Sequence, residues 1–226
     1  MADVDGLITI QEAARRMGVS ERQVQHLGAN GTLVFVARGL VDQESVRAYL
    51  ADRQGWRRQG WSQMNSWGAI ALLSGVDADW LGQVQKFRIN VRIRESDATE
   101  LVSLTRARAA VRRYEGHASA ASRLAAAMVV PDHSRLGLVD VGDDKGIDGY
   151  LESQRALEVV RQYGLVAEPS GRFTIRATDR DLATVRGIAE SSTVLAALDA
   201  AISADPRARG VGLEALTKHL ERYGHG

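Results

Sequence analysis

Two short segments near the start of the chain carry apolar residues at helical spacing, with polar residues between them. Thr9 precedes Glu12 by three positions, which matches the capping box that opens a helix. Ser20 and Gln23 repeat the same spacing at the second segment. Gly18, between them, suits the left-handed residue that ends one helix and reverses the chain. The pattern predicts two short helices joined by a tight turn. Their predicted inward residues are Ala13, Ala14, Met17, Val19, Val24 and Leu27.

A β-hairpin and a third helix are predicted next. Residues 33–36 form an apolar run typical of a strand, residues 37–39 suit a turn, and residues 40–41 suit a returning strand. Asp42 is placed to cap an amphipathic helix that runs to about Arg53. Two helices, a hairpin wing and a closing helix predict a winged helix-turn-helix, whose second helix enters the major groove of DNA.

Polar residues at the start of the second helix are candidates for reading bases. Arg22 suits guanine, and Gln23 or Gln25 suits adenine. Arginines on the first helix and at the wing tip suit phosphates. The alternative is that these arginines are solvated surface charges and that the glutamines only keep the helix soluble. The predicted DNA-binding residues are Arg15, Arg16, Ser20, Arg22, Gln23, Gln25, His26 and Arg38.

The middle of the chain combines an alternating segment with many arginines. Apolar and polar residues alternate from 86 to 94, which predicts a strand with one basic face. A helix capped by Asp97 is predicted to follow and to reach Tyr114. Residues 84–123 hold nine basic against four acidic residues, in a chain of net charge +1. A face for nucleic acid or a partner is predicted here, with solvated arginines as the alternative. It comprises Arg88, Arg92, Arg94, Arg106, Arg108, Arg112 and Arg113.

The remaining sequence predicts a small α/β unit followed by helices. A strand is predicted at 136–141, a helix from Ser153 to Gly164, and strands at 165–167 and 172–176. Helices follow Asp179 and are interrupted at Pro206.

Four regions follow from these patterns. They are a winged helix-turn-helix at 1–53, a linker at 54–65, an arginine-rich and mostly helical middle region at 66–130, and an α/β unit with C-terminal helices at 131–226. The predicted fold class is mainly α with small β elements (α+β).

Composition narrows the function classes. The 226 residues are 45% hydrophobic and 25% charged, as in an ordinary soluble globular protein. No apolar run predicts a membrane span, and no signal sequence is recognisable at the N-terminus. Cysteine is absent, which fits a cytoplasmic protein. The net charge of +1 means that any contact with DNA depends on local patches.

No catalytic, metal or cofactor site is predicted. The histidines are scattered and lack the spacing of a metal motif. The pairs Asp77-x-Asp79 and Asp179-x-Asp181 fall at predicted helix starts, where aspartate is an expected cap. The chain is therefore predicted not to be an enzyme.

Two resemblances add to this interpretation. The runs T-x-x-E-A-A-R-R-x-G-V-S-x-R-x-V and V-D-x-E-S-V-R-A-Y-L resemble MerR-like and excisionase-like winged helices. The stretch S-W-G-A-I-A-L-L-S-G-x-x-A-D-W-L, the arginine-rich segment after it and the run V-L-A-A-L-D-A-A-I-S-A-D-P-R-A-R-G-V-G resemble actinobacterial AbiEi-type antitoxins of type IV toxin–antitoxin systems. So does the run G-Y-L-E-S-Q-R-A-L-E-V-V-R-Q-Y-G-L-V-A-E-P-S-G-R-F-T-I-R. These motifs cover most of residues 60–215.

The resemblance implies a transcriptional autorepressor that binds double-stranded DNA at its own promoter. It also implies that the body opposes a cognate nucleotidyltransferase-type toxin, with or without direct stable contact. Two alternatives stay open: a plain transcription, excision or partition factor with no toxin partner, and a regulator that responds to a small ligand. The oligomeric state is not specified by these patterns.

Overall fold

The computed structural model of the chain describes residues 6–29, 32–37, 39–56, 60–138 and 146–224. The chain divides into two compact units, Met1–Gln59 (unit 1) and Gly60–Gly226 (unit 2). Helices dominate the described residues, and each unit adds one small sheet. The predicted class, mainly α with small β elements, is confirmed.

Unit 1 has the elements of a winged helix-turn-helix. They are β1 (Leu7–Thr9), α1 (Ile10–Met17), α2 (Glu21–Ala29), β2 (Phe35–Ala37), β3 (Leu40–Asp42) and α3 (Gln43–Trp56). The three strands pair antiparallel in the order β1-β3-β2. The hairpin of β2 and β3 agrees with the sequence pattern. Strand β1 does not emerge from that pattern, because three residues are too few to show a period.

Local hydrogen bonds set the turn between α1 and α2. Thr9 Oγ1 accepts a hydrogen bond from Glu12 N at 3.2 Å, and Ser20 Oγ accepts one from Gln23 N at 3.2 Å. Gly18 has a φ of +64° and donates its N–H to carbonyls of the last turn of α1. The predicted tight turn is therefore confirmed. The buried core below it comprises Ile8, Ala13, Ala14, Met17, Val24, Leu33, Val41 and Val46.

Unit 2 is larger and mixes helices with one sheet. Its helices are α4 (Gln63–Leu73), α5 (Gln83–Glu95), α6 (Ala98–Thr105), α7 (Ala120–Ala127), α8 (Ser153–Gln162), α9 (Leu182–Ser191), α10 (Val194–Ala200) and α11 (Pro206–Gly224). Its strands are β4 (Ala110–Glu115), β5 (Ile147–Glu152), β6 (Val166–Ala167) and β7 (Phe173–Thr178). No helix in the described part of the chain is long and apolar enough to cross a bilayer.

The sheet of unit 2 has the order β5-β7-β4-β6. Strand β5 runs parallel to β7, whereas β4 is antiparallel to both β7 and β6. The predicted strands at 165–167 and 172–176 exist, but β4 lies between them. One sheet thus contains strands from both the 66–130 region and the 131–226 region.

The strand predicted from the alternation at 86–94 is wrong, because these residues form α5. Ile89 and Ile93 are four positions apart and are both buried, which places them on one side of the helix. Phe87 and Val91, which also fit the alternation, are exposed. The four apolar residues at 87, 89, 91 and 93 therefore alternate with polar residues as in a strand, but only Ile89 and Ile93 face the core.

The helix predicted from Asp97 to Tyr114 is wrong in its second half. Helix α6 ends at Thr105, a short 3-10 helix covers Arg106–Arg108, and β4 follows. Pairing with β7, far away in the sequence, overrides the local helical pattern. In the strand predicted at 136–141, residue 136 closes a 3-10 helix and residues 139–141 lie outside the described residues. Strand β5 does not emerge from the sequence pattern.

A buried ionic network holds the sheet of unit 2 against α10. The Asp199 side chain is 1% exposed, and its Oδ1 accepts hydrogen bonds from Arg108 Nη2 at 2.6 Å and from Tyr150 Oη at 2.7 Å. Arg176 Nη1 lies 3.3 Å from the same oxygen. Arg176 also binds both carboxylate oxygens of Asp148, at 2.6 and 2.7 Å. Two arginines and two aspartates balance their charges, with Arg108, Arg176 and Asp199 buried and Asp148 at the partly exposed edge of the network.

The network extends to an aromatic pair. Trp67 Nε1 donates to the carbonyl of Arg108 and to Thr178 Oγ1, both at 2.9 Å. The Trp67 ring meets the Tyr150 ring edge to face, with centroids 5.4 Å apart. Contacts of this kind stabilise aromatic pairs beyond the area they bury. Helix α4 is therefore joined to the same network as α10 and the sheet.

Burial alone raises the pKa of the Asp199 carboxyl, but Arg176 and Arg108 outweigh burial and hold that pKa below its ordinary value. A lowered pKa in the folded state stabilises the fold above the ordinary pKa of the carboxyl, and this stabilisation is lost as the pH falls towards the folded value. Burial raises the pKa of the Tyr150 hydroxyl, so it remains a neutral donor.

We predict that Asp199→Asn destabilises unit 2 by about 3–5 kcal/mol, because it leaves two buried guanidinium groups without one of their counter-charges. The free energy of unfolding in urea, followed by tryptophan fluorescence, measures the loss. Glu214→Gln is the matched control, since Glu214 is an exposed carboxylate that pairs with Lys218 on the same helix. An Asp199→Asn variant as stable as this control would contradict the role assigned to the network.

Candidate functional site

Helix α2 presents a polar face to the outside of unit 1. Val24 is fully buried, and residues two positions away on either side lie about 200° around the helix from it. Those residues are Arg22 and His26, which are both exposed. Gln23 and Gln25 flank them and are exposed as well. Four predicted DNA-binding residues, among them the three base-reading candidates Arg22, Gln23 and Gln25, are therefore exposed on the sides of α2 that face away from the core.

The wing packs closely against the end of this helix. A Cβ atom at Gly28 would overlap the ring of Phe35 on β2, so the glycine allows the ring to approach the helix this closely. Val34 N donates to Ser45 Oγ at 3.2 Å, which connects the start of the wing to α3. Val34 and Val36 are exposed, so the described part of the wing presents apolar side chains. Arg38, predicted at its tip, lies outside the described residues.

Arg15 and Arg16 on α1 both bind the carboxylate of Glu12. Arg15 donates to it at 2.8 and 2.9 Å, and Arg16 Nε donates at 2.7 Å. These hydrogen bonds, first from Arg15 and then from Arg16, lower the pKa of the Glu12 carboxyl to about 2. Glu12 is therefore ionised at neutral pH. A phosphate that binds either arginine competes with Glu12 for it.

Ser20 has a structural role in the turn. Its side-chain oxygen accepts the hydrogen bond from Gln23 N that caps α2. A residue at this position also lies next to the N-terminus of the helix, where phosphates are favoured. Ser20 is exposed and therefore stays within the candidate surface.

The arginines predicted to form one face in unit 2 are placed on different elements and at different depths. Arg108 is buried in the ionic network, so its prediction as a surface residue is wrong. Arg92 is half-buried and binds Glu100 at 2.5 Å, and Arg106 is half-buried too. The exposed members are Arg88 and Arg94 on α5, with Arg112 and Arg113 on β4. Arg108 is buried because the buried carboxylate of Asp199 is stable only when it is paired with cations.

The aspartate pairs have structural partners. Asp77 Oδ1 accepts hydrogen bonds from Ala78 N at 2.8 Å and from Lys86 Nζ at 2.6 Å. Asp181 caps α9 by accepting from Thr184 N at 2.8 Å. Among the residues that the structure describes, no cluster of three or more His, Asp or Glu side chains is arranged to hold a metal ion.

Sequence reasoning missed the partners of Arg108. Asp199 is the single charged residue in the otherwise apolar run V-L-A-A-L-D-A-A-I at 194–202. A lone carboxylate in a helix this apolar requires a buried cation or hydrogen-bond donor. The sequence alone therefore indicates that Asp199 has buried polar partners. The identities of Arg108, Arg176 and Tyr150 as its partners depend on the tertiary fold.

We predict that Glu12→Gln strengthens non-specific DNA binding and steepens its salt dependence, because it releases Arg15 and Arg16 for phosphates. The slope of log affinity against log salt should steepen by up to about 0.9 per arginine released. Fluorescence anisotropy with a mixed-sequence duplex over a salt series measures both effects. The matched control is Glu44→Gln, which removes an exposed carboxylate paired with Arg47 on α3. Identical slopes for the two variants would mean that Arg15 and Arg16 do not contact DNA.

Comparison of the chain with models of known families, with curated proteins and with solved structures found no match. Function is therefore inferred from the chain's own residues. The outward face of α2 is the candidate nucleic-acid interface that unit 1 offers.

Proposed function

We propose that the protein binds double-stranded DNA through unit 1, with α2 in the major groove. The observation that supports this most directly is the outward face of α2, where Arg22, Gln23, Gln25 and His26 are exposed opposite the buried Val24. A short helix held by a tight turn, with its polar face outward, matches the way helix-turn-helix proteins dock on a duplex.

In this proposal some residues of unit 1 contact bases and others contact phosphates. The Arg22 guanidinium donates to O6 and N7 of a guanine, and the amide of Gln23 or Gln25 pairs with N6 and N7 of an adenine. Arg15 and Arg16 bind phosphates once these displace Glu12, and they set the orientation of α2 without reading sequence. The cap at Ser20 keeps the first turn of α2 rigid.

The biological role that we attach to this activity is autorepression at the protein's own promoter, in the cytoplasm. The antitoxin role, which opposes a nucleotidyltransferase-type toxin, stays a separate proposal for unit 2. It comes from the resemblance of residues 60–215 to AbiEi-type antitoxins. The two proposals are independent because they concern different units.

We predict that Arg22→Ala relaxes the sequence preference of the full chain at one base pair. Duplexes selected from a random library by the full wild-type chain serve as probes, and binding is measured by anisotropy against single-base variants of the selected site. Loss of a bidentate contact should remove about 1–3 kcal/mol of discrimination at that position. Discrimination at the other positions should persist.

Arg47→Ala is the matched control, since Arg47 is also exposed in unit 1 but lies on α3. It should leave the preference unchanged. If selection yields no preferred sequence, or if Arg22→Ala discriminates as well as Arg47→Ala, then α2 does not read bases through Arg22.

A further inference from the structure

Helix α5 carries an apolar stripe on its outer side. Val84, Phe87 and Val91 follow helical spacing and are 65%, 69% and 39% exposed. Ile89 and Ile93, on the inner side of the helix, are 1% exposed. Each exposed apolar side chain alone is ordinary, but three in line on one helix form a continuous surface that water solvates poorly.

Phe87 and Val91 of this stripe line one wall of a groove, which we name the α5–α11 groove. The end of α4 contributes Leu72, Leu73 and Gly75, and α11 supplies the opposite wall. The groove has a volume of about 760 Å³ and opens to solvent. Tyr223 Oη donates a hydrogen bond to Asn90 Oδ1, which joins α11 to α5.

The charges beside the groove are positive. Arg94 stacks on the Tyr223 ring at 5.9 Å from its centroid, and Arg222 Nη2 donates to His219 Nδ1 at 3.1 Å. Among the described residues, neither arginine is paired with a carboxylate, and no acidic side chain lines the groove. Apolar walls with two cations and no anion are complementary to a partner that is both apolar and acidic.

His219 does not add a charge to the groove. Burial, and then the neighbouring Arg222, lower the pKa of its imidazole, so it is neutral at physiological pH. Since Arg222 donates to Nδ1, the proton lies on Nε2, which donates to Thr193 Oγ1 at 2.8 Å. The imidazole thus links α11 to the start of α10.

We propose that the α5–α11 groove binds an amphipathic helix of a protein partner, one that presents carboxylates beside its apolar side chains. The apolar residues of that helix contact Phe87 and Val91, and its carboxylates pair with Arg94 and Arg222. Recognition of this kind uses anchors spaced at i, i+4 and i+7. The proposal is independent of DNA binding, because every residue that supports it lies in unit 2.

Two other occupants fit the groove less well. A nucleic acid requires a row of cations along its phosphates, whereas this groove offers two arginines around exposed apolar side chains. A small ligand requires a site that encloses most of its surface, whereas the stripe continues beyond the groove to Val84 on an open helix face.

The test uses the full chain and a stapled, fluorescent helical peptide of about 15 residues. The peptide carries leucines at i, i+4 and i+7, with glutamates beside them. Anisotropy should show saturable binding. A version with lysines in place of the glutamates, and a version with serines in place of the leucines, should each bind at least about tenfold more weakly.

Two variants locate the binding surface. Phe87→Ala and Arg94→Glu should each weaken binding of the acidic peptide at least about tenfold. Their controls are Leu157→Ala and Arg161→Glu on α8, which change an exposed apolar and an exposed basic residue elsewhere in unit 2. These controls should bind like the wild-type chain. Circular dichroism confirms that each variant is folded.

Four results would overturn the proposal. They are absence of binding by the acidic peptide, equal binding of the lysine or serine versions, unchanged binding by both α5 variants, and displacement of the peptide by a mixed-sequence DNA duplex. A fifth is self-association of the chain that Phe87→Ala abolishes and that the peptide blocks, since the occupant would then be a second copy.

Discussion

The carboxylate of Asp199 is the constraint on which unit 2 depends. It lies on an apolar helix and is 1% exposed, so its charge is tolerable only beside buried cations. Arg108 comes from the segment before β4, Arg176 from β7 and Tyr150 from β5. One buried charge therefore joins β5, β7 and the segment before β4 to α10.

Unit 1 is organised by different means. Its core is small and apolar, and the orientation of α2 is set by a left-handed glycine, two hydroxyl caps and the close approach of Phe35 to Gly28. These devices act at the two ends of α2 and do not use the exposed side chains of Arg22, Gln23 and Gln25. The outer face of α2 can therefore carry residues chosen for a partner, and Arg22 and the two glutamines are chemically suited to base edges.

Most of the fold of unit 1, apart from β1, could be predicted because its determinants are local. Caps, a turn glycine and a hairpin are all visible within a few residues, and the base-reading candidates follow from them. The contacts of Glu12 with Arg15 and Arg16 also follow from their spacing on α1. They do not emerge from the sequence, because the capping box alone already explains a glutamate at position 12.

In unit 2 the determinants are distant. Strand β4 exists because β7 pairs with it, and Arg108 leaves the surface because of a residue on α10. Likewise the α5–α11 groove joins residues from both ends of unit 2, and the alternation in α5 points to a strand.

Each unit carries one proposed binding surface. Unit 1 presents a polar helix face for DNA, and unit 2 presents a basic, apolar groove for a protein helix. The central claim is that α2 reads DNA. Amide hydrogen exchange of the full chain, measured with and without a selected duplex, tests it most directly. The account predicts that protection on binding is concentrated in residues 20–28, with residues 60–224 nearly unchanged. Protection confined to unit 2, or no protection in α2 at a saturating DNA concentration, would contradict it.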